Sequence, residues 1–180
     1  EEDFSVDFVE NNDYKNLGNG YSLWAGLKHV TGDVVIFDAD VVYRREILAN
    51  FLENSHKDSI LVGPGQPSDI ECTKTLVDRN GRVHRFVDKR AMQPDELSQL
   101  NFLGEAMGII RMSDQSRLNL TRTCEQFFSD EQNLKLNWEP LFNIYLNNVP
   151  MYSHYEPSED WIEIDSPEDY QEAVTKFKKD

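Results

Sequence analysis

The sequence predicts an α/β fold, with a mixed, mostly parallel sheet flanked by helices. Three observations carry that expectation. The first third of the chain alternates strand-like and helix-like patterns, the order that builds parallel βαβ units. Val34-Val-Ile-Phe37 is an uninterrupted apolar run of strand length, which suits a strand buried on both faces. Asp78-Arg-Asn-Gly81 separates two β-rich runs, so an antiparallel hairpin is expected after the parallel start.

Taken in order, Phe4–Val9 alternates apolar and polar residues and reads as a strand. The polar, glycine-punctuated stretch from Asn11 to Gly20 reads as a loop. Tyr21–Val30 fits a helix with Leu23, Leu27 and Val30 on one face, and the Val34–Phe37 strand follows. Arg44–Ser55 carries Ile47, Leu48, Phe51 and Leu52 at helical spacing. Ser59–Val62, Cys72–Val77, Arg82–Val87 and Ala106–Met112 read as strands. Ser113 is placed to cap a helix over Asp114–Phe127. Trp138–Asn147 reads as helix and Pro150–Tyr155 as an edge strand. At the close, Asp160–Asp165 leads into Ser166-Pro-Glu-Asp169. Ser166 suits the N-cap, Pro167 the first helical position and Asp169 the capping-box position. The helix beyond it ends in Lys176, Lys178 and Lys179, whose charges suit a helix C-terminus.

Composition narrows the function. In 180 residues without a Pro/Gly/Ser-rich linker, one domain spanning 1–180 is expected. The net charge of −15 argues against a nucleic-acid surface, which needs a basic stripe. Phosphates would have to be handled locally, by a metal, a lysine or backbone amides. Only Cys72 and Cys124 are present, too few for a disulfide scaffold, and no apolar run approaches membrane-spanning length. These features predict a soluble cytoplasmic protein with neither nucleic-acid nor membrane partners. A homo-oligomer is admitted but not required.

The chemistry centres on Asp38-Ala39-Asp40, directly after the apolar strand. In an open α/β sheet, ligands bind at the carboxyl ends of strands. Two acids in that position call for a cation or a solvated cleft. Mg²⁺ typically takes one or two carboxylates and shares its other positions with water and phosphate oxygens. An ordinary strand-to-turn transition accounts for the two acids equally well on this stretch alone. Asp165, ending another strand before a capped helix, offers a third carboxylate, although acids before helices also serve as caps. The loop Asn16–Gly20 ahead of a helix could hold an anion on its backbone amides, or could be a generic turn. Lys89, within Asp88-Lys89-Arg90, offers a cation for phosphate or a solvated turn residue. Trp138, Glu139, Tyr152, Tyr155, Asp160 and Trp161 could box a cationic head group. Core packing is the commoner fate of such aromatics.

Five separated stretches then coincide with one family. They are Asn12-Asp-Tyr with Gly18-Asn-Gly-Tyr-Ser-Leu23, Phe37-Asp-Ala-Asp-Val41, Gly104-Glu-Ala-Met-Gly-Ile-Ile110, Asn137-Trp-Glu-Pro140 and Trp161-Ile-Glu-Ile-Asp-Ser-Pro-Glu-Asp169. In order and spacing the chain resembles nucleotidyltransferases of the phosphocholine cytidylyltransferase type. These belong to the sugar-phosphate nucleotidyltransferase superfamily, with its Rossmann-like nucleotide-diphospho-sugar transferase fold. The resemblance implies Mg²⁺-dependent cytidylyl transfer from CTP to a small phosphate or phosphonate, with release of pyrophosphate. The acceptor classes are phosphocholine-like, aminoethylphosphonate-like or sugar phosphate. It implies Asp40 and Asp165 as metal ligands with Asp38 beside them, and Gly18, Asn19 and Ser22 in the segment that contacts base and ribose. Lys89 is a weaker candidate for a phosphate contact, and Trp138, Glu139, Tyr155 and Trp161 remain the acceptor candidates.

One departure bears on activity. The family opens with a strand, a glycine-rich loop of the form Leu-Ala-Ala-Gly-x-Gly-x-Arg and a following Lys-Pro segment, and none of these occurs here. The expectation is therefore an N-terminally incomplete domain lacking its first strand, that loop and the following helix, with weak or absent catalysis by this chain alone. Two alternatives stand beside it. A metal-dependent glycosyltransferase would use Asp38-x-Asp40 for a nucleotide-sugar, and a non-catalytic nucleotidyltransferase-like domain would serve as a binding or regulatory module.

Overall fold

A long central strand organises the sheet. In the computed structural model, which describes residues 5–178, the elements are α1 (Asn19–Leu27), β1 (Val34–Phe37), β2 (Val41–Tyr43), α2 (Arg45–Leu52), β3 (Ser59–Gly63), β4 (Lys74–Val77) and β5 (Val83–Val87). They continue with β6 (Asn101–Met112), α3 (Asp114–Phe127), a 3₁₀ turn (Glu131–Asn133), α4 (Trp138–Tyr145), β7 (Tyr152–Tyr155), β8 (Trp161–Glu163) and α5 (Pro167–Lys176). The main sheet runs β5-β4-β6-β3-β7, and β1 also pairs with β6. Strand β3 lies along one edge of β6, with Ile60 opposite Ile110 and Gly63 opposite Glu105. The other edge is shared. Strand β4 takes the first half of β6, Asn101 to Glu105, and β1 takes the last part, Ile109 to Met112.

The mixed α/β architecture agrees with the sequence, but the balance of directions does not. Among the described residues only β3 and β7 pair in parallel. Strands β1, β3 and β4 all run antiparallel to β6. The returning β6 lies between strands that a simple βαβ reading would make neighbours, so each meets it in the opposite sense. Among the described residues β1 has no other partner.

Side chains alternate across the sheet. Ile60, Val62, Ile110 and Met112 join the larger core under α1, α3 and α4, where Leu120, Leu141, Phe142 and Tyr145 are buried. Leu61, Met107 and Ile109 face the other way, onto Ile47 and Phe51 of α2. The period of two on the strands and 3–4 on the helices is what makes three layers of this sequence. Strand β2 pairs antiparallel with β8 in a separate two-stranded sheet.

The expected strand at the start of the chain does not form. Phe4 lies outside the described residues, and 5–10 are irregular and exposed, with Phe8 89% exposed. An alternating stretch becomes a strand only where it has a neighbour to pair with, and this one has none among the described residues. It borders a groove of about 910 Å³ that also exposes Leu23, Val30 and Val34 beside the free edge of β1. Several local expectations hold, although β2 was not expected and β6 begins at Asn101 instead of Ala106. The Asp78–Arg82 hairpin turn has Gly81 at φ +76° and Asp78 accepting from the Asn80 and Arg82 amides. Ser113 accepts from Ser116 N at the start of α3. Among the described residues no helix is long and apolar enough to cross a membrane.

Candidate active site

The shared edge of β6 leaves a gap. Strand β1 ends at Phe37 and β4 starts at Lys74, and between their stretches of β6 lie Ala106, Met107 and Gly108. A cavity of about 290 Å³ opens there, lined among others by Asp38, Asp40, Thr73, Lys89, Glu139 and Asp165. A second cavity of about 300 Å³ adjoins it, lined by Ser22, Leu23, Ile36, Ile110 and Phe142. Asn19, Asp38, Ala39, Gly108 and Trp138 border both.

Gly108 makes the junction. Its φ is +67°, a region that disfavours side chains, and a Cβ there would stand 2.5 Å from Asp38 Oδ2. Its carbonyl accepts from Asp38 N at 2.8 Å. The glycine thus both fixes the Asp38 backbone and leaves room for its carboxylate. Desolvation, with Asp40 adding repulsion, pushes the Asp38 carboxyl up to about 6.

The β2–β8 ladder brings the other acids in. Val41 is opposite Glu163, and Ile164 N donates to Asp40 O at 2.8 Å. Asp40, Glu163 and Asp165 each present a carboxylate oxygen, all within 4.8 Å of one another. Helix α5 holds the last of them in place. Ser166 accepts from Asp169 N, Asp169 Oδ2 accepts from Ser166 N at 2.8 Å, and the same oxygen accepts from Asp165 N at 3.1 Å. The capping box expected from the sequence is therefore tied to the residue at the site. Three hard oxygen donors, exposed and convergent, suit a divalent cation such as Mg²⁺.

Sequence reasoning missed Glu163, and the signal was available. Glu163-Ile164-Asp165 repeats the acid-x-acid spacing of Asp38-Ala39-Asp40, and on extended backbone positions i and i+2 share a face. Desolvation, then Asp165 and Asp40, push Glu163 up to about 7, while the Lys89 charge pulls it down. Lys89 lines the cavity at φ +39°, the one non-glycine residue with positive φ among those described. Such a conformation is costly for lysine and tends to occur at functional sites.

Glu105, a further acid lining the same cavity, was also missed. Glu105 is pushed up to about 7 by desolvation and by Glu163 and Asp69. Glu139 is only 5% exposed and is likewise pushed up to about 7, by desolvation first and by Asp88 and Asp38 besides. Thr73 Oγ1 stands 3.1 Å from both Glu139 Oε1 and Asp88 Oδ1, whereas Glu139 Oε2 is buried with no hydrogen-bond partner.

The remaining candidates divide. Asn19 and Ser22 line the second cavity. Asn19 Oδ1 also accepts from Trp138 N at 3.0 Å, securing the first turn of α4, and Ser22 Oγ accepts from Asn11 Nδ2. Gly18 lines neither cavity. It is the N-cap of α1 and lies so close to the Leu136 carbonyl that a Cβ would collide with it. Trp138 and Glu139 line the acidic cavity, but Tyr155 and Trp161 do not. Tyr155 ends β7 on the surface, and Trp161 packs on the α2-side core, over Gly63. Trp138 itself meets Phe86 and Phe142 edge-to-face at 5.0 and 5.3 Å. An aromatic box does not assemble: Trp138 packs in the larger core, Trp161 packs on the α2-side core, and Tyr155 is exposed at the end of β7.

No family model matches the sequence, and no curated protein matches it. Solved structures do. The CTP:phosphocholine cytidylyltransferase of Streptococcus pneumoniae superposes with a TM-score of 0.67 at 16% identity, over 90% of this chain and 64% of that one. The inositol-1-phosphate CTP transferase of T. maritima gives 0.61 at 18% identity, over 86% and 58%. The nucleoside-diphosphate-sugar pyrophosphorylase of Vibrio cholerae gives 0.56 at 16% identity, over 86% and 64%. The chain thus has a nucleotidyltransferase-like fold, and spans less than two thirds of the length of these neighbours.

Proposed function

We propose that residues 1–180 form the metal-binding and acceptor-binding part of a nucleotidyltransferase that transfers a cytidylyl group from CTP to a small phosphate or phosphonate. The observation that carries this is the convergence of Asp40, Glu163 and Asp165 from two paired strands at the mouth of a cavity. A glycosyltransferase reading needs only Asp38-x-Asp40, and leaves the second acid pair, with its dedicated capped helix, without a role.

In this reading Asp40, Glu163 and Asp165 hold Mg²⁺, which when bound offsets charge on phosphate oxygens. Lys89 sits on the same cavity and pairs with a phosphate oxygen. An ionised oxygen of the acceptor phosphate forms a bond to the α-phosphorus. The bond from that phosphorus to its bridging oxygen breaks, and pyrophosphate leaves with the electron pair. The nucleophile is already an anion, so no general base is required, and positioning and electrostatics do the work. The second, less polar cavity beside Asn19 and Ser22 takes the base and ribose. Among the described residues β1 pairs with β6 alone, which supports a domain completed by a further strand that brings triphosphate contacts of its own.

The test is pyrophosphate release from CTP in the presence of Mg²⁺ and a phosphate acceptor. It is run on this chain and on a chain extended N-terminally by its native sequence. Turnover in the extended chain, abolished by Asp40→Ala, is expected, with little or none in the short one. Release of free nucleoside diphosphate from a nucleotide-sugar would instead support the glycosyltransferase. CTP binding that needs neither Mg²⁺ nor Asp40 would support the regulatory module.

A further inference from the structure

We propose that Arg90 and Glu96 are positioning residues, whose paired side chains hold the turn that sets Lys89 at the acidic cavity. This rests on the nucleotidyl-transfer reading, in which Lys89 pairs with a phosphate oxygen, and it names what keeps that lysine in place.

The first argument is the cost of the turn. Lys89 has φ +39°, and it is the one lysine or arginine among the residues lining the cavity. A left-handed backbone at a residue with a long side chain persists only where its surroundings over-determine it. Among the described residues Lys89 forms no ion pair. Its own side chain therefore does not anchor it, and the holding contacts come from its neighbours in the chain.

The second argument is where those contacts are. Residues 88–100 contain neither helix nor strand, yet the Glu96 side chain within them is only 5% exposed. Arg90 grips it as a fork, with Nη2 donating to Oε1 at 2.6 Å and Nη1 to Oε2 at 2.9 Å. Gln93 N donates to the same Oε2 at 2.7 Å, and Arg90 Nη1 also donates to Ala91 O at 3.1 Å. Exposed ion pairs contribute little. This carboxylate is buried with both oxygens engaged, and a bidentate arginine pair fixes geometry as well as adding energy.

The third argument is that the pair brackets Lys89. Arg85 Nη2, on β5, lies 3.5 Å from Oε1 of the same carboxylate. Lys89 thus stands in the chain between two arginines that share Glu96, and the backbone turns after β5 to bring both of them to it. The positive φ lies inside that turn. Beyond it, Met92 N donates to Pro67 O at 2.9 Å. That contact docks the loop on the segment leading to Glu71 and Thr73 at the cavity wall.

Two measurements test this on Glu96→Gln, which keeps the shape and removes the charge, and on Arg90→Lys, which keeps the charge and loses the fork. In the first, NMR couplings and intraresidue NOEs on the 180-residue chain, without ligand, report the sign of φ at Lys89. It is expected to be positive in the wild type and to leave the left-handed region in both variants. In the second, calorimetry reads binding of a non-hydrolysable CTP analogue with Mg²⁺ to the chain extended N-terminally by its native sequence. Lys89→Ala should weaken binding about tenfold or more, the scale of a hydrogen bond to a charged group. Glu96→Gln should reach most of that loss, and adding Lys89→Ala to it should cost less than about threefold more. A merely structural Glu96 would instead leave the cost of Lys89→Ala the same in both backgrounds. That outcome, no effect of Lys89→Ala in the wild type, or a positive φ kept at Lys89 in either variant would overturn the inference. If Glu96→Gln does not fold, Arg90→Lys carries both measurements. If the CTP analogue fails to bind the wild type, the nucleotidyl-transfer reading falls, and the NMR result alone decides whether the pair holds the turn.

Discussion

The two adjoining cavities have nearly the same volume, about 290 and 300 Å³, and share a wall, yet their linings are opposite. One is ringed by carboxylates that the fold has partly desolvated. The other is walled by Leu23, Ile36, Ile110 and Phe142. The difference follows from which elements supply the side chains. The apolar cavity is lined from the main sheet and its covering helices, so its residues are core residues with one face free. The acidic one is lined from strand ends, from β8, from Glu139 of α4 and from the stretch of β6 that neither β4 nor β1 covers. In the proposed reading the acidic cavity takes the metal and the phosphates, and the apolar one takes the base and ribose.

The largest expected effect breaks the cavities apart. Asp165→Ala or Asp40→Ala should cost more than about 100-fold in affinity for Mg²⁺, read by calorimetry or with Mn²⁺ as a spectroscopic probe, because even groups outside a metal's ligand shell are worth up to that. Ser22→Ala should leave metal affinity within about threefold and weaken nucleotide binding instead, as loss of one hydrogen bond does. If Asp165→Ala weakened nucleotide binding without metal as much as it weakened metal binding, the division between the cavities would fail.

Gly108→Ala should come next, because it strikes the shared wall. The added Cβ meets Asp38 Oδ2 at 2.5 Å, on a backbone at φ +67°. A destabilisation of roughly 1–3 kcal/mol is expected from the strained backbone alone, with loss of binding in both cavities. Gly26→Ala, where a Cβ would meet nothing within 4 Å, is the control. It should hold or gain stability, since alanine favours helix.

These residues also show how far the sequence could be read. The Val34–Phe37 strand, helix α3 with its Ser113 cap and the Ser166–Asp169 capping box were legible, because period, caps and turns are local signals. The direction of the sheet was not. It depends on where the 12-residue β6 inserts, and no local pattern reports that. The Asp38–Asp40 pair was legible as an acid pair at a strand end, and Asp165 as its partner. Glu163 was passed over because it was read as strand, although its spacing to Asp165 held the signal. The acceptor wall was the least legible part. Whether Trp138, Tyr155 and Trp161 converge depends on which face of the sheet each one joins, and Glu139 and Thr73 meet across 66 residues of sequence.

A smaller effect sharpens the electrostatic half of the comparison. In the folded chain Glu105, Glu139 and Glu163 are pushed up to about 7 and Asp38 to about 6. Between about pH 5 and pH 8 the folded chain therefore binds more protons than the unfolded one, and stability falls as pH rises through that window. Below it the sign reverses. Glu96 is held down at about 2 by Arg90, and Asp33, Asp69, Asp78, Asp114 and Asp169 are lowered too, so their contribution is lost in acid. The thermal midpoint should be highest near pH 5 and drop towards pH 8. Millimolar Mg²⁺ should recover part of the drop, since it binds the ionised carboxylates. Glu139→Gln should lessen the drop that remains, because it removes a raised carboxyl outside the metal group. A midpoint that climbs steadily from pH 5 to pH 8 without metal would show that the cavity acids are not desolvated.

The smallest effect concerns how the acidic side is held. Ser166→Ala removes the acceptor for Asp169 N and leaves the first turn of α5 one hydrogen bond short. Loss of an N-cap costs about 1 kcal/mol, which in a chain of this size is a shift of roughly 2–4 °C in the midpoint. Asp169 would still accept from Asp165 N and Ser166 N, so the metal-side carboxylate should stay in place and Mg²⁺ affinity should fall by less than about threefold. Asp169→Ala is the sharper variant. It takes away both of those backbone contacts and frees Asp165 from α5, so metal affinity should fall by the 10–100-fold typical of groups that orient a ligand. The ratio of the two losses, measured with Mg²⁺ at one pH, tells whether the capping box only ends a helix or also aims a carboxylate. Equal losses would reduce it to a helix cap.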